Sequence, residues 1–99
     1  MVDTLQATSI EQKTDHRETS DVYRGELFRR GRYRVATCRD GMQWLFQRQR
    51  FQFTAGGAAW DTLGYCVTRK ALIGLHQAYK APQHEKLQAL PKRFKREVV

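Results

Sequence analysis

Two short segments near the middle of the chain alternate between β-forming apolar residues and polar residues. They cover 32–38 and 43–48, and Arg39-Asp40-Gly41-Met42 separates them. Asp-Gly between two alternating segments is the strongest short-range hairpin signal, because a two-residue turn of this kind needs positive φ at both positions. The pattern therefore predicts a β-hairpin that turns at Asp40 and Gly41.

The predicted turn also fixes the register of the hairpin. If Asp40 and Gly41 are the loop residues, each residue before them has one defined partner after them. One face of the hairpin is then apolar, whereas the other is polar, basic and predicted to be exposed. The apolar face pairs Thr37 with Trp44, Val35 with Phe46 and Tyr33 with Arg48; the other face holds Arg32, Arg34, Ala36 and Cys38 opposite Gln49, Gln47, Leu45 and Gln43.

The remaining pattern predicts a third strand followed by a helix. Residues 51–59 have the composition of a loop, and residues 60–67 alternate like a strand whose buried side stays open. Thr68 suits a helix N-cap, and a helix over 69–80 follows it. The apolar stripe of this helix consists of Ala71, Leu72, Leu75, Ala78 and Tyr79.

Together these elements predict an α+β fold in the order β-β-β-α. A three-stranded antiparallel sheet is packed by one C-terminal helix, since each apolar face must be covered. Residues 23–81 form this domain, between a flexible acidic arm at 1–22 and a flexible basic tail at 82–99. Two segments stay open: 22–30 is either an edge strand or a short helix, and 83–90 is a possible further helical turn.

Composition limits the class of protein. The chain has 99 residues and a formal net charge of +8, which fits one small basic domain. Eight arginines stand against two acids in 24–50, and eight basic residues stand against two acids in 69–99. The sequence contains no apolar run of the roughly 18 residues that span a bilayer and no secretory signal, so we expect a cytoplasmic protein with no membrane partner.

Catalytic chemistry is poorly represented. Cys66 and His76 are the one candidate nucleophile pair, and no residue pattern supplies an orienting partner or a lowered thiol pKa. The spacing of the possible zinc ligands matches no common site. We therefore expect no enzyme activity, no catalytic residue, no metal, no cofactor and two reduced thiols. The zinc candidates are Cys38, Cys66, His76 and His84.

The basic composition instead points to nucleic acid. Arginine and glutamine pair bidentately with guanine and adenine, and a β-ribbon can enter the major groove. Basic residues near both ends could neutralise phosphates around it. We expect DNA rather than RNA as the partner. The predicted binding residues are Arg29, Arg30, Arg32, Arg34, Gln43, Gln47, Gln49, Lys92, Arg93, Lys95 and Arg96.

The order of elements in 32–80, with Thr68-Arg69-Lys70-Ala71 opening the helix, resembles two DNA-binding families. They are the arm-type domain of tyrosine recombinases and the plant ethylene-response-factor domain. The resemblance implies a sheet in the major groove with a helix behind it, and only a binding role. The long 51–59 connection departs from both families. The run from Cys38 to Leu45 is also similar to uncharacterised small bacterial proteins, several from mobile elements, which favours a phage- or plasmid-derived accessory protein.

Two alternatives stay open. The Trp, Tyr and Arg content suits a protein-interaction module, for instance a phage-type inhibitor of a host nucleoprotein complex. An RNA-binding module could stack bases on Trp60 or Tyr65, if that side of the third strand is exposed.

Overall fold

Four antiparallel strands and two helices are formed by the residues that the structure describes. The computed structural model describes residues 16–54 and 57–96, and its sheet follows chain order. The predicted α+β class is confirmed. The described residues form one strand and one helix more than the predicted three strands and one helix. The elements are β1 (Glu26–Arg30), β2 (Tyr33–Thr37), β3 (Trp44–Thr54), β4 (Gly57–Cys66), α1 (Arg69–Ala78) and α2 (Glu85–Ala89).

The β2–β3 hairpin has the predicted register. Thr37 pairs with Trp44, and Val35 pairs with Phe46. The loop is longer than the predicted two residues, since β2 ends at Thr37 and β3 begins at Trp44. Inside this loop the Cys38 amide donates to the Gln43 main-chain oxygen at 2.9 Å. Only Gly41 in this loop has a positive φ, at +67°. The longer loop therefore removes the predicted requirement for positive φ at residue 40.

The predicted loop at 51–59 is instead part of a second long hairpin. β3 continues to Thr54 and β4 begins at Gly57, and these two residues pair with each other. Gly57 has a φ of +103°, which a residue with a side chain rarely adopts. Only two residues separate the end of β3 from the Gly57 that begins β4, where the sequence predicts a longer connection.

A β-bulge in β4 determines which of its side chains are buried. Phe46 pairs with Gly64 whereas Gln47 pairs with Thr62, so Leu63 has no partner in β3. An extra residue on one strand reverses the facing of the residues beyond it. Cys66 consequently packs on the helix side, and Trp60 lies on the opposite side of the sheet.

Helix α1 covers the predicted apolar face of the hairpin. The core cluster on this side consists of Phe28, Val35, Trp44, Phe46, Cys66, Leu72, Ala81 and Leu87. Thr68 caps the helix as predicted, since its hydroxyl accepts from the Ala71 amide at 3.1 Å. The buried stripe is rotated from the predicted one: His76 is buried, whereas Ala71 and Ala78 are exposed. A hydrogen bond of 2.8 Å joins Nδ1 of the buried His76 ring to the Leu72 main-chain oxygen.

Both segments predicted as flexible tails make contacts in their described parts. Residues 17–23 cross the face of the sheet opposite α1, while residues 1–15 lie outside the described residues. In the C-terminal segment, Leu87 is fully buried and the Phe94 ring meets Trp44 edge-on at 5.2 Å. Neither helix of the described chain has the length and hydropathy needed to cross a membrane.

Replacing Gly74 with alanine is expected to raise the free energy of unfolding by about 0.5–1 kcal/mol. Gly74 is an exposed interior residue of α1, and a Cβ there would meet no atom within 4 Å. Gly25→Ala is the contrasting variant, because its Cβ would lie 2.6 Å from the Thr37 main-chain oxygen. Urea denaturation should show opposite signs for the two changes. Equal effects would contradict the packing described for these two sites.

Candidate nucleic-acid interface

The face of the sheet opposite α1, hereafter the Arg34 face, is buried rather than exposed. Arg34 is only 1% exposed and Gln47 is 0% exposed. The Arg34 Nε donates to Gln47 Oε1 at 2.7 Å, and its Nη1 lies 3.0 Å from Glu26 Oε1. Burial lowers the pKa of the Arg34 guanidinium from its ordinary value, and the hydrogen bond and charge of Glu26 oppose that shift. The predicted exposure of these two side chains is therefore wrong.

Main-chain atoms of the N-terminal segment close the Arg34 face. The Arg34 Nη2 donates to the main-chain oxygens of Glu18 (3.0 Å) and Ser20 (2.8 Å). The Gln47 amide donates to the same Glu18 oxygen at 2.9 Å. The Trp60 ring adds an aromatic surface 4.3 Å from the Arg34 guanidinium carbon. A segment that looks unstructured in sequence thus supplies the acceptors that a buried guanidinium requires.

The other predicted binding residues of the sheet, two phosphate contacts and three base contacts, are spread around it. Arg29 is bound by Asp21 and Glu26, with N–O distances of 3.1 and 2.6 Å. Arg30 pairs with Glu85 at 3.0 Å. The remaining three, Arg32, Gln43 and Gln49, are half-buried, and Arg32 donates to the Gln49 main-chain oxygen. The structure does not bring these side chains together on one exposed surface.

Of the two β4 aromatic residues predicted to stack bases, only Tyr65 is exposed. Trp60 is 0% exposed, and its Nε1 donates to Asp21 Oδ1 at 2.9 Å. Its ring is therefore closed to any ligand in this conformation. Tyr65, beyond the bulge, is 59% exposed.

A basic groove lies where the C-terminal segment meets the start of α1. The groove encloses about 500 Å³. An isolated β-bridge between Thr68 and Arg93 brings the two segments together. In this bridge the Arg69 amide donates to the Lys92 oxygen (2.9 Å), and the Phe94 amide donates to the Val67 oxygen (2.7 Å). The residues that line the basic groove are Thr68, Arg69, Lys70, Ile73, Gln88, Lys92 and Arg93.

The charge of the basic groove is one-sided. Four of its seven lining side chains are cationic and none is acidic. Arg69 is held in place, since its Nη1 donates to the oxygens of Gln88 (3.0 Å) and Leu90 (2.8 Å). No described residue forms an ion pair with Lys70, Lys92 or Arg93. These three cations are available to an anionic ligand.

The structure separates the four predicted C-terminal cations. Lys92 and Arg93 line the basic groove, Lys95 lines a different cleft, and Arg96 is exposed outside both. Arg69, Lys70 and Gln88 also line the groove and are not among the predicted binding residues. Arg69 and Lys70 do lie off the predicted apolar stripe, which is a signal for exposure. Nothing in the sequence indicates that they meet a segment more than twenty positions away.

Cys66 and His76 show the features of core residues. Burial raises the pKa of the Cys66 thiol, which is the opposite of what a nucleophilic thiolate needs. Burial likewise lowers the pKa of His76, and the hydrogen bond to Leu72 opposes this. Across 16–54 and 57–96, no three His, Cys, Asp or Glu side chains are grouped as a metal site would require.

Comparison with protein-family models, curated proteins and solved structures finds no match to this chain. The resemblance to recombinase arm domains, ethylene-response-factor domains and mobile-element proteins therefore stays a prediction.

Proposed function

We propose that this protein is a non-enzymatic DNA-binding accessory protein that holds the phosphate backbone in the basic groove. The observation that carries the proposal is the gathering of Lys70, Lys92 and Arg93 around the fixed Arg69, with no acid in the lining. Lysine and arginine bind phosphates by charge-assisted hydrogen bonds and by releasing counterions from the duplex. The net charge of +8 also favours the association of this protein with a polyanion.

The proposed binding carries little sequence preference. Arg34 and Gln47, the side chains best suited to base edges, are committed to each other and to the N-terminal segment. Contacts to phosphates position a protein on DNA but carry no sequence information directly. Binding at the basic groove is therefore expected to be similar for duplexes of different sequence.

Removing two groove cations is expected to weaken DNA binding about tenfold to a hundredfold at moderate salt. The test variant is K92Q/R93Q, and the matched control K80Q/K86Q removes two positive charges from exposed positions that do not line the groove. Fluorescence anisotropy with a labelled duplex, over about 50 to 200 mM salt, measures the dissociation constant. The slope of log affinity against log salt should fall by about 2 in the test variant only.

Three results would contradict this proposal. The first is that the DNA duplex does not bind at low salt. The second is that the two double variants weaken binding equally, and the third is that an RNA duplex binds more tightly than a DNA duplex. Circular dichroism of both variants keeps a folding defect separate from a binding defect.

A protein-interaction module is the second candidate, and the observation that favours it is on the edge strand. Tyr65 is 59% exposed and Val67, just after β4, is 45% exposed. Tyrosine is enriched among residues that dominate protein interfaces. Two results together would favour this candidate. The protein would bind no nucleic acid at low salt, and it would form a stable complex with a protein of the native host that Tyr65→Ser abolishes.

A further inference from the structure

A second cleft opens at the end of the β2–β3 hairpin, and we call it the hairpin cleft. It encloses about 580 Å³, a size typical of small-molecule sites. Three separate parts of the chain form its walls: the residues before β1, the β2–β3 loop and the C-terminal segment. Its lining is mainly apolar, with Leu27, Trp44, Leu90 and Phe94 among the contributors.

Each wall of the hairpin cleft also contributes one cation. They are Arg24, Arg39 and Lys95, and no acidic side chain lines the cleft. Within the described residues none of the three takes part in an ion pair. The Glu18 carboxylate is close by, but it accepts from the Arg39 main-chain amide (2.7 Å) and lies outside the lining.

The main chain that carries each of the three cations is anchored by a neighbouring residue. Tyr23, beside Arg24, is buried and donates its hydroxyl to the Thr37 oxygen at 2.6 Å. Burial, and then the charge of Glu18, raises the pKa of Tyr23 to about 12, so its phenol stays a neutral donor.

The other two cations have equivalent anchors. Cys38, beside Arg39, is buried, and its amide and oxygen close the loop through bonds of 2.9 Å to Gln43 and Gly41. Phe94, beside Lys95, is held by its amide bond to Val67 and by the Trp44 ring. Three anchored backbones thus present three cations around one apolar floor.

We propose that the hairpin cleft binds a small organic anion, with an apolar body on the floor and a single acidic head group among Arg24, Arg39 and Lys95. An acidic head replaces water at cations that have no protein partner, which is a strong charge-assisted interaction. The apolar body buries the exposed surface of Leu27 and the partly buried Phe94. The site is separate from the basic groove and does not rest on the proposed DNA binding.

Three probes of related structure test the two halves of this site. The first is 8-anilinonaphthalene-1-sulfonate, which combines an apolar body with one anionic group. The second is N-phenyl-1-naphthylamine, which has the same body and no charge, and the third is inorganic sulfate. We expect saturable one-to-one binding of the sulfonate, binding about tenfold weaker for the neutral analogue, and no saturable binding of sulfate.

Variants and resonance mapping locate the binding. R24Q/K95Q should weaken the sulfonate about tenfold, whereas K80Q/K86Q should leave it unchanged. Amide shifts should concentrate at Gly25, Leu27, Gly41 and Lys95. Shifts scattered over the surface, equal affinity for the charged and neutral probes, or equal affinity in the two double variants would overturn the proposal. Unchanged circular dichroism is expected for R24Q/K95Q, because neither side chain forms an ion pair with a described residue.

Discussion

Replacing Arg34 with alanine is expected to lower the free energy of unfolding by about 3–5 kcal/mol. The guanidinium joins Gln47, Glu26 and the main-chain oxygens of two residues in the N-terminal segment. Its removal leaves Gln47 Oε1 without its donor and takes one of their donors from Glu26 and from the Glu18 and Ser20 oxygens. It also opens a cavity where the buried side chain lies against the Trp60 ring. Urea denaturation at neutral pH, followed by circular dichroism, measures the change.

Arg30→Ala is the matched control for this prediction. Arg30 is also an arginine of the sheet, but its ion pair with Glu85 is exposed, and such pairs contribute about 0–1 kcal/mol. A loss for Arg34→Ala no greater than that for Arg30→Ala would show that residues 17–23 do not close the Arg34 face in solution.

Trp60→Ala is the second change with a large expected effect, at about 3–5 kcal/mol. The ring is fully buried and lies within 4.8 Å of two guanidinium carbons, those of Arg29 and Arg34. Its Nε1 also holds Asp21, which in turn pairs with Arg29. Truncation therefore removes apolar burial, two cation–π contacts and one anchor of the N-terminal segment.

The control for Trp60 is Tyr65→Ala in the same strand, expected within about 0.5 kcal/mol because the ring is exposed. The variant W60A/R34A should lose less stability than the two single losses together, since both residues belong to one cluster. Full additivity would contradict the shared cluster, as would a Trp60→Ala loss similar to that of Tyr65→Ala.

Local sequence was sufficient to predict the hairpin and the helix start. The β2–β3 register depends on a short loop and on alternating residues on both sides of it, all within seventeen positions of the chain. The cap at Thr68 depends on a hydroxyl three residues before the amide that it accepts from. Both features are decided by near neighbours, so the pattern carries them.

The burial of Arg34 could not be predicted in this way. A basic and glutamine-rich strand face looks solvated unless something else supplies acceptors, and here the main chain of Glu18 and Ser20 supplies them. Main-chain oxygens have no sequence signature. The bulge at Leu63 is similarly silent in sequence, and it places Trp60 and Cys66 on opposite sides although simple alternation puts them on one.

The candidate site was predicted in part for a similar reason. Lys92 and Arg93 are conspicuous as part of a basic run, but their neighbours Arg69 and Lys70 come close only through the Thr68–Arg93 bridge. Such a bridge depends on where the chain returns after α2, not on the composition of either segment. A cluster of charge in sequence therefore indicates binding more readily than it locates the surface.

We propose that DNA binds at the basic groove while the Arg34 face stays closed. The most direct test is to record amide resonances while a short DNA duplex is added at low salt. We predict the largest shifts at residues 68–70, 88 and 92–93, with residues 34–36 and 45–47 unchanged. The largest shifts at 34–36 and 45–47, or no shift at any residue, would contradict it.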